Sequence, residues 1–427
     1  MAIDPHSTEG GEADPAPGRD RLATVNERGD LVLPAPLLRQ FGLVPGEQVH
    51  LDVAEHSIRV RRPLGHLARI YLEPTGRCNM DCAMCQRRTW PGETGDMAPE
   101  VLVRVLDALA ACQPPPTVVL GGFGEPLLHG GLMEFIRQAR DRGARVELIT
   151  NGLLLDGGRL QRLRDLGLER LWLSVDGGQE GCCGHAMDRG AFADLVRLLW
   201  AANTPHHFPH GRRLKLGIVF VAMKSNLHAL PSVLDLARQL HADRVLVSNL
   251  LAYAPDTAGE ILYGRSVGNA DSDHFRVRLP RVDLGEGVLE LLGQAMRHHD
   301  LTDVRTGEFG QPFNTCPFVE AGSVAIRWDG GVSPCLPLLH THVSYLSHGP
   351  RRTREHLFGS LGDRGLLEIW RDPRYVEFRR RVMDFDFPPC LSCGTCDWAR
   401  HNEEDCYGNP FPTCGGCLWA QGLVLCP

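Results

Sequence analysis

Between Ala68 and Asn249 short apolar runs alternate with amphipathic stretches. The runs Ala68–Glu73, Thr117–Leu120, Arg145–Thr150, Arg170–Val175, Lys215–Val221 and Arg244–Ser248 are long enough for buried parallel strands. Among the stretches between them, Val101, Leu102, Val105, Leu106 and Leu109 share one face at helical spacing. Six strands alternating with helices predict an α/β fold, a partial (β/α)6 barrel assigned to residues 65–305. Such folds place their ligands at the carboxyl ends of the strands.

The pattern differs on either side. Residues 1–19 are rich in Pro, Gly and acidic groups without periodicity, a flexible lead-in. Residues 20–64 carry short alternating runs at 22–25, 30–33, 49–53 and 58–61, a helical stretch Pro36–Phe41 and turns at Arg28-Gly29 and Val44-Pro45-Gly46, which predict a small β-rich module. After Asn249 the alternation fades towards Pro312, and cysteines then dominate residues 306–427: Cys316, Cys335, Cys390, Cys393, Cys396, Cys406, Cys414, Cys417 and Cys426. Loops of this kind bury too little apolar surface to fold alone, so a metal-stapled, Cys-rich C-terminal domain is expected.

Composition narrows the function classes. A chain of 427 residues with 43% hydrophobic residues can bury the cores of two to three units. With 45 Lys and Arg against 52 Asp and Glu the formal charge is −7, which gives no global reason for nucleic-acid binding. The N-terminus lacks the basic and apolar regions of a signal peptide, and no apolar run approaches the roughly 20 residues that span a bilayer. A cytoplasmic protein without membrane segments is the expectation. In a reducing compartment its 15 cysteines favour metal or iron–sulfur ligation over disulfides.

The sharpest chemical signal is Cys78-Asn-Met-Asp-Cys82-Ala-Met-Cys85, directly after the first strand of the barrel. Three thiolates in one short loop hold three irons of a cubane and leave the fourth without a protein ligand. A ferredoxin cluster wants a fourth Cys nearby, and structural zinc wants two separated pairs. The CxxxCxxC spacing after a strand resembles the radical S-adenosylmethionine (SAM) superfamily, with a zinc or redox site as the bland alternative. The resemblance implies a [4Fe–4S] cluster with an open iron site that chelates SAM and cleaves it reductively to a 5′-deoxyadenosyl radical. It departs at Met84, where an aromatic residue is common; Met84 is apolar and can still cover adenine or cluster.

Further motifs follow in the order that the resemblance implies. Gly121, Gly122, Gly124 and Glu125 in Gly121-Gly122-Phe123-Gly124-Glu125-Pro126 are similar to the family's SAM-binding "GGEP" segment. Asn151 in Thr150-Asn151-Gly152, and Ser174 and Asp176 in Ser174-Val175-Asp176-Gly177, stand at strand ends where ribose or carboxylate could be bound; turn chemistry is the alternative for each. Gly217–Phe220, Lys224-Ser225-Asn226 and Val247-Ser248-Asn249 are weaker candidates for the adenine wall. No catalytic residue is assigned: Glu125, Asp176 and Tyr253 could handle protons, but none has a unique role.

The C-terminal cysteines resemble a SPASM-type extension, which implies one or two auxiliary [4Fe–4S] clusters. A hairpin would bring Cys316 and Cys335 together, and Cys390, Cys393 and Cys396 would follow on a later loop. Nine cysteines allow two four-ligand clusters with one left over, and zinc is the alternative for Cys414-Gly-Gly-Cys417 with the preceding pair. The tail from Asn402 to Pro427 is similar to the radical SAM maturases associated with tungsten-containing aldehyde ferredoxin oxidoreductases, and the front module resembles the AbrB-like swapped hairpins that such maturases carry. This implies maturation of a tungsten enzyme through its polypeptide or its pterin cofactor. It further implies a tungsten aldehyde ferredoxin oxidoreductase as partner, reduced ferredoxin or flavodoxin as electron donor, and a homodimer through the N-terminal module. AbrB-like modules also bind DNA, and Arg28, Arg39, Arg59, Arg61 and Arg62 could face phosphates. Because these arginines alternate with acids in an acidic chain, a scaffolding or partner-binding role is favoured over DNA.

Two other readings are a zinc- or redox-sensing DNA-binding regulator, which would leave the six-strand middle without a purpose, and a radical SAM enzyme of small molecules. Cys112 is expected to be a buried hydrophobe, the adjacent Cys182 and Cys183 cannot easily share a cluster, and His206, His207 and His210 are expected on a surface loop.

Overall fold

A computed structural model describes residues 22–41, 43, 46, 49, 51–54, 56–90, 94–176, 189–203, 214–263, 314–346, 349–393 and 396–427. The chain divides into two compact units, Met1–His66 and Leu67–Pro427. Among the described residues no helix is long and apolar enough to cross a membrane.

The first unit contains two antiparallel hairpins, β1 (Thr24–Val25) with β2 (Leu31–Val32) and β3 (Leu51–Ala54) with β4 (Ser57–Val60), and helix α1 (Ala35–Phe41). The first hairpin turns on Asn26, whose side chain accepts the amides of Arg28 and Asp30. Apolar side chains stay in solvent here: Val25, Leu31, Val53 and Ile58 are all more than half exposed.

The second unit is built on one sheet of parallel strands β5 (Arg69–Leu72), β6 (Thr117–Leu120), β7 (Val146–Thr150), β8 (Arg170–Ser174), β9 (Lys215–Ala222) and β10 (Arg244–Asn249), each paired with the next in chain order. Helices α2 (Pro99–Ala111), α3 (Leu132–Asp141), α4 (Gly157–Asp165), α5 (Arg189–Asn203) and α6 (Leu230–Gln239) connect them. The strands are nearly continuous apolar runs, and β6 is buried at all four positions, as a sheet covered on both faces requires. Helix α2 buries Val101, Val105, Leu106 and Leu109 on one face, each contributing roughly 1.5–3 kcal/mol. All six predicted strands are present with ends within one residue, and among the described residues the sheet does not close into a barrel.

At the other edge the Cys-rich region joins this sheet. Helix α7 (Pro317–Glu320) leads into β11 (Ser323–Ile326), which pairs parallel with β5; β12 (Gly331–Ser333) and β15 (Gly359–Ser360) then add antiparallel. A separate hairpin is formed by β13 (His342–Leu346) and β14 (Gly349–Thr353). Helices α8 (Leu366–Trp370) and α9 (Pro373–Asp384) pack behind them. The last residues return to the parallel strands: the Ser248 hydroxyl accepts the Leu425 amide at 2.9 Å, and Asn249 donates to the Leu423 carbonyl at 2.9 Å.

Candidate active site

The loop that leaves β5 carries Cys78, Cys82 and Cys85 at the carboxyl end of the sheet. It is tied down before the first thiol. The Thr75 hydroxyl donates to Asp96 at 2.7 Å and accepts the Arg77 amide at 3.0 Å, while the Arg77 guanidinium makes a two-point contact with the same carboxylate. Beyond it, the Cys85 amide closes a turn on the Cys82 carbonyl at 3.0 Å, and Arg87 donates to the Met80 carbonyl at 2.6 Å. Met84 packs against an apolar cluster that includes Leu251, Tyr253, Leu391 and Leu418.

Burial and the neighbouring Cys85, Asp176 and Cys78 push the Cys82 thiol up to about 12, with Arg87 opposing. Burial also raises Cys85, again against Arg87. Iron would take these groups as thiolates with release of their protons, adding its positive charge to that of Arg87. Among the described residues no three His, Cys, Asp or Glu side chains gather tightly enough for one metal ion. A cubane asks for wider spacing, since each thiolate bonds a different iron.

The glycine segment after β6 lies directly on this loop. The Glu125 amide donates to the Arg77 carbonyl at 2.8 Å. A Cβ on Gly124 would stand 1.9 Å from the Thr75 carbonyl oxygen, and one on Gly122, whose φ is +96°, would meet the Glu73 side chain at 2.7 Å. Only glycine allows this approach. Gly121 packs against Ile149 of β7. The buried Glu125 carboxylate accepts the Leu127 amide at 3.2 Å, the Thr150 hydroxyl at 2.8 Å and the Asn151 amide at 2.9 Å. Burial raises this carboxyl despite the three donors. Its side chain thus bolts the segment to the end of β7.

Asn151 reaches the cysteine loop, donating from Nδ2 to Asn79 at 2.9 Å and approaching the Cys78 sulfur at 3.9 Å. Ser174 is half-buried at the end of β8. Asp176 is buried; its carboxylate accepts the Val221 amide at 2.9 Å and its carbonyl accepts the Asn226 side chain at 2.9 Å. Asn226, a weaker adenine candidate, spends its amide on the turn after β9, and Ser248 holds the chain end. Gly177, Cys182, Cys183, His206, His207 and His210 lie outside the described residues.

Eight of the nine C-terminal thiols form two groups. Cys316, Cys335, Cys414 and Cys417 line one cavity, in which the centre of a water-sized sphere has about 50 Å³ to move. Cys390 and Cys396 line a second, smaller one, and Cys393 and Cys406 are near enough to act on Cys390 electrostatically. The β11–β12 hairpin does bring Cys316 and Cys335 together, but their companions are Cys414 and Cys417 from the tail. Burial raises Cys316 to about 12 and Cys390 to about 11. Cys426 is the thiol left over: its sulfur accepts the Trp419 indole N–H at 3.1 Å. Tyr253, considered for proton handling, is buried near both Cys85 and Cys426, and burial holds its phenol neutral. Cys112 caps the C-terminus of α2 and is half-buried.

Sequence reasoning missed Glu73 and His340. Glu73 follows β5 directly, is 1% exposed, and accepts the Phe123 amide at 3.1 Å. Its position at a strand end was the available signal. No local pattern marks His340, which stacks on Trp90 with ring centres 4.0 Å apart.

Residues 72–203 match the Radical SAM superfamily, and residues 316–397 match SPASM, described as an iron–sulfur cluster-binding domain. The chain is 30% identical over 368 residues to the tungsten-containing aldehyde ferredoxin oxidoreductase cofactor-modifying protein of Pyrococcus furiosus, covering 84% of this chain and 96% of that one. It is also 30% identical over 204 residues to the PqqA peptide cyclase of Rhodopseudomonas palustris, covering 47% and 51% of the two chains. Among solved structures, anSMEcpe with bound AdoMet has 17% identity and a TM-score of 0.49, covering 78% of this chain and 87% of that one. The chain belongs to the radical SAM superfamily and is a radical SAM enzyme with a SPASM domain. Its cofactors are accordingly a [4Fe–4S] cluster, SAM and auxiliary iron–sulfur clusters. The loop triplet and the two C-terminal groups supply the sulfur donors that such clusters take.

Proposed function

We propose that Cys78, Cys82 and Cys85 hold the SAM-cleaving cluster and that the enzyme matures a tungsten-containing oxidoreductase. The observation that carries the site assignment is the seating of the cysteine loop on the glycine segment, with Gly124 against the Thr75 and Arg77 carbonyls. When bound, the cluster and SAM supply a 5′-deoxyadenosyl radical. Gly121, Gly122 and Gly124 let the backbone come close to SAM. Glu125 and Asp176 position the strand-end loops through their hydrogen bonds, and Asn151 and Ser174 present polar groups from β7 and β8. Met84 and Tyr253 keep water from the loop. Cys316, Cys335, Cys414 and Cys417 would hold one auxiliary cluster and Cys390, Cys393, Cys396 and Cys406 a second.

The tungsten reading is supported by alignment over 96% of a relative named for modifying the cofactor of such an oxidoreductase. Modification of the enzyme's polypeptide is the second route, favoured by similarity to a peptide cyclase. Reduced ferredoxin or flavodoxin is proposed as donor, in a cytoplasmic setting that keeps thiols reduced. The exposed apolar pairs Val25–Leu31 and Val53–Ile58, one on each hairpin, support a homodimer through the N-terminal unit, since exposed apolar surface favours association. The test is anaerobic incubation with SAM, reductant and an immature tungsten oxidoreductase, followed by mass spectrometry of its peptide and its pterin. A SAM-dependent mass change in either is expected. Turnover of free metabolites with neither changed would contradict the assignment.

A further inference from the structure

Arg351, on β14, stands between the two C-terminal thiol groups. Its side chain borders both cavities, the one lined by Cys316, Cys335, Cys414 and Cys417 and the one lined by Cys390 and Cys396. The residue is 6% exposed. On one side it lies against Gly416, inside the Cys414–Cys417 turn, where a Cβ would stand 2.4 Å from the guanidinium carbon. On the other it donates to the carbonyl of Ala399, in the loop that follows Cys396. The charges that act on it are those of Cys390, Cys417 and Cys414, with no carboxylate among them. A guanidinium buried without an anion costs several kcal/mol. Among the described residues the anions that act on it are thiolates, or would be clusters held by them; the buried Asp405 acts on Cys390 instead, and its carboxylate is taken up by Tyr407 and Asn409.

We infer that Arg351 is a counter-cation shared by two auxiliary clusters, a positioning residue that holds both at higher reduction potential and eases passage of an electron between them. The inference rests on the two-cluster reading above. The step is a one-electron transfer in which no bond forms or breaks: the low-potential reductant loses the electron, and one cluster and then the other takes it up. A cluster gains negative charge on reduction, and net charge and nearby hydrogen-bond donors set its potential. A fixed cation between two such sites favours the reduced form of each. Arg381 offers a contrast, since among the described residues Cys414 is the one thiol that acts on it, beside the carboxylates of Asp405 and Glu377.

The experiment is a potentiometric titration of the full-length holoenzyme followed by electron paramagnetic resonance, with iron counted on the same samples. In Arg351→Met both auxiliary clusters should become at least tenfold harder to reduce, which is 59 mV for one electron, while the SAM-cleaving cluster stays where it was. Arg351→Lys should restore most of the shift, and Arg381→Met should move one auxiliary cluster only. Unchanged auxiliary potentials in an iron-replete Arg351→Met would overturn the inference. Wild type with about eight irons per chain or fewer in place of about twelve, at four per cluster, would overturn the two-cluster reading itself. If Arg351→Met fails to take up iron, Gly416→Ala serves instead. It keeps the charge but pushes the guanidinium away from the Cys414–Cys417 turn, and the potential of that group's cluster should fall; no change in it would also overturn the inference.

Discussion

The carboxylate of Glu73 and the imidazole of His340 lie 3.0 Å apart, both buried, at a separation of 267 residues in the chain. They join the carboxyl end of β5 to the start of the Cys-rich region, under the same glycine segment that seats the cysteine loop. His340 is held in turn between Trp90 and Phe123. Replacing His340 by Ala leaves a buried carboxylate with the Phe123 amide as its remaining described partner. A loss of about 1–3 kcal/mol is expected for a buried acceptor left short of its hydrogen-bond partner, to be read as a lower anaerobic unfolding midpoint.

Gly124→Ala places a methyl 1.9 Å from one backbone carbonyl oxygen and 2.8 Å from another. Backbone cannot step aside as a side-chain tip can, so the segment must move and the Glu125–Arg77 hydrogen bond must stretch. Formation of 5′-deoxyadenosine should drop at least tenfold, the order expected for strain of 1–3 kcal/mol or more at the site. Gly130→Ala is the control, because nothing lies within 4 Å of its Cβ. Equal loss in both variants would refute the argument.

Acid should destabilise the protein through His342. Burial lowers this imidazole to about 4, against about 6.5 in an unfolded chain. Between those values the unfolded state binds more protons, so stability is complete above pH 6.5 and declines as pH falls towards 4, by up to about 3 kcal/mol. Unfolding midpoints measured from pH 7 down to 4.5 should fall more steeply in wild type than in His342→Gln. Parallel slopes would rule His342 out.

Much of the architecture was legible because parallel strands buried on both faces are continuous apolar runs. Thr117–Leu120 and Arg170–Ser174 need no long-range information to be recognised. The pairing of β11 with β5 could not be read in this way, since Val324 meets Ile70 across a separation that leaves no local pattern. The site divides along the same line. The Cys78, Cys82 and Cys85 triplet is a local spacing, whereas the convergence of Cys316 and Cys335 with Cys414 and Cys417 depends on the return path of the tail. Glu125 was legible as part of a motif, but its use as a bolt to Thr150 and Asn151 was not. Arg351 carried no signal at all: one of two adjacent arginines on a polar strand, it becomes exceptional only when two groups of thiols are found around it.

The central claim is that the loop after β5 holds the cluster that cleaves SAM. Its most direct test is 5′-deoxyadenosine formation by anaerobically reconstituted protein with SAM and dithionite, beside a variant with Cys78, Cys82 and Cys85 all replaced by Ala. Wild type should form it, and the variant should form none while keeping its C-terminal iron. Continued SAM cleavage by the triple variant, or none by an iron-replete wild type, would contradict the account.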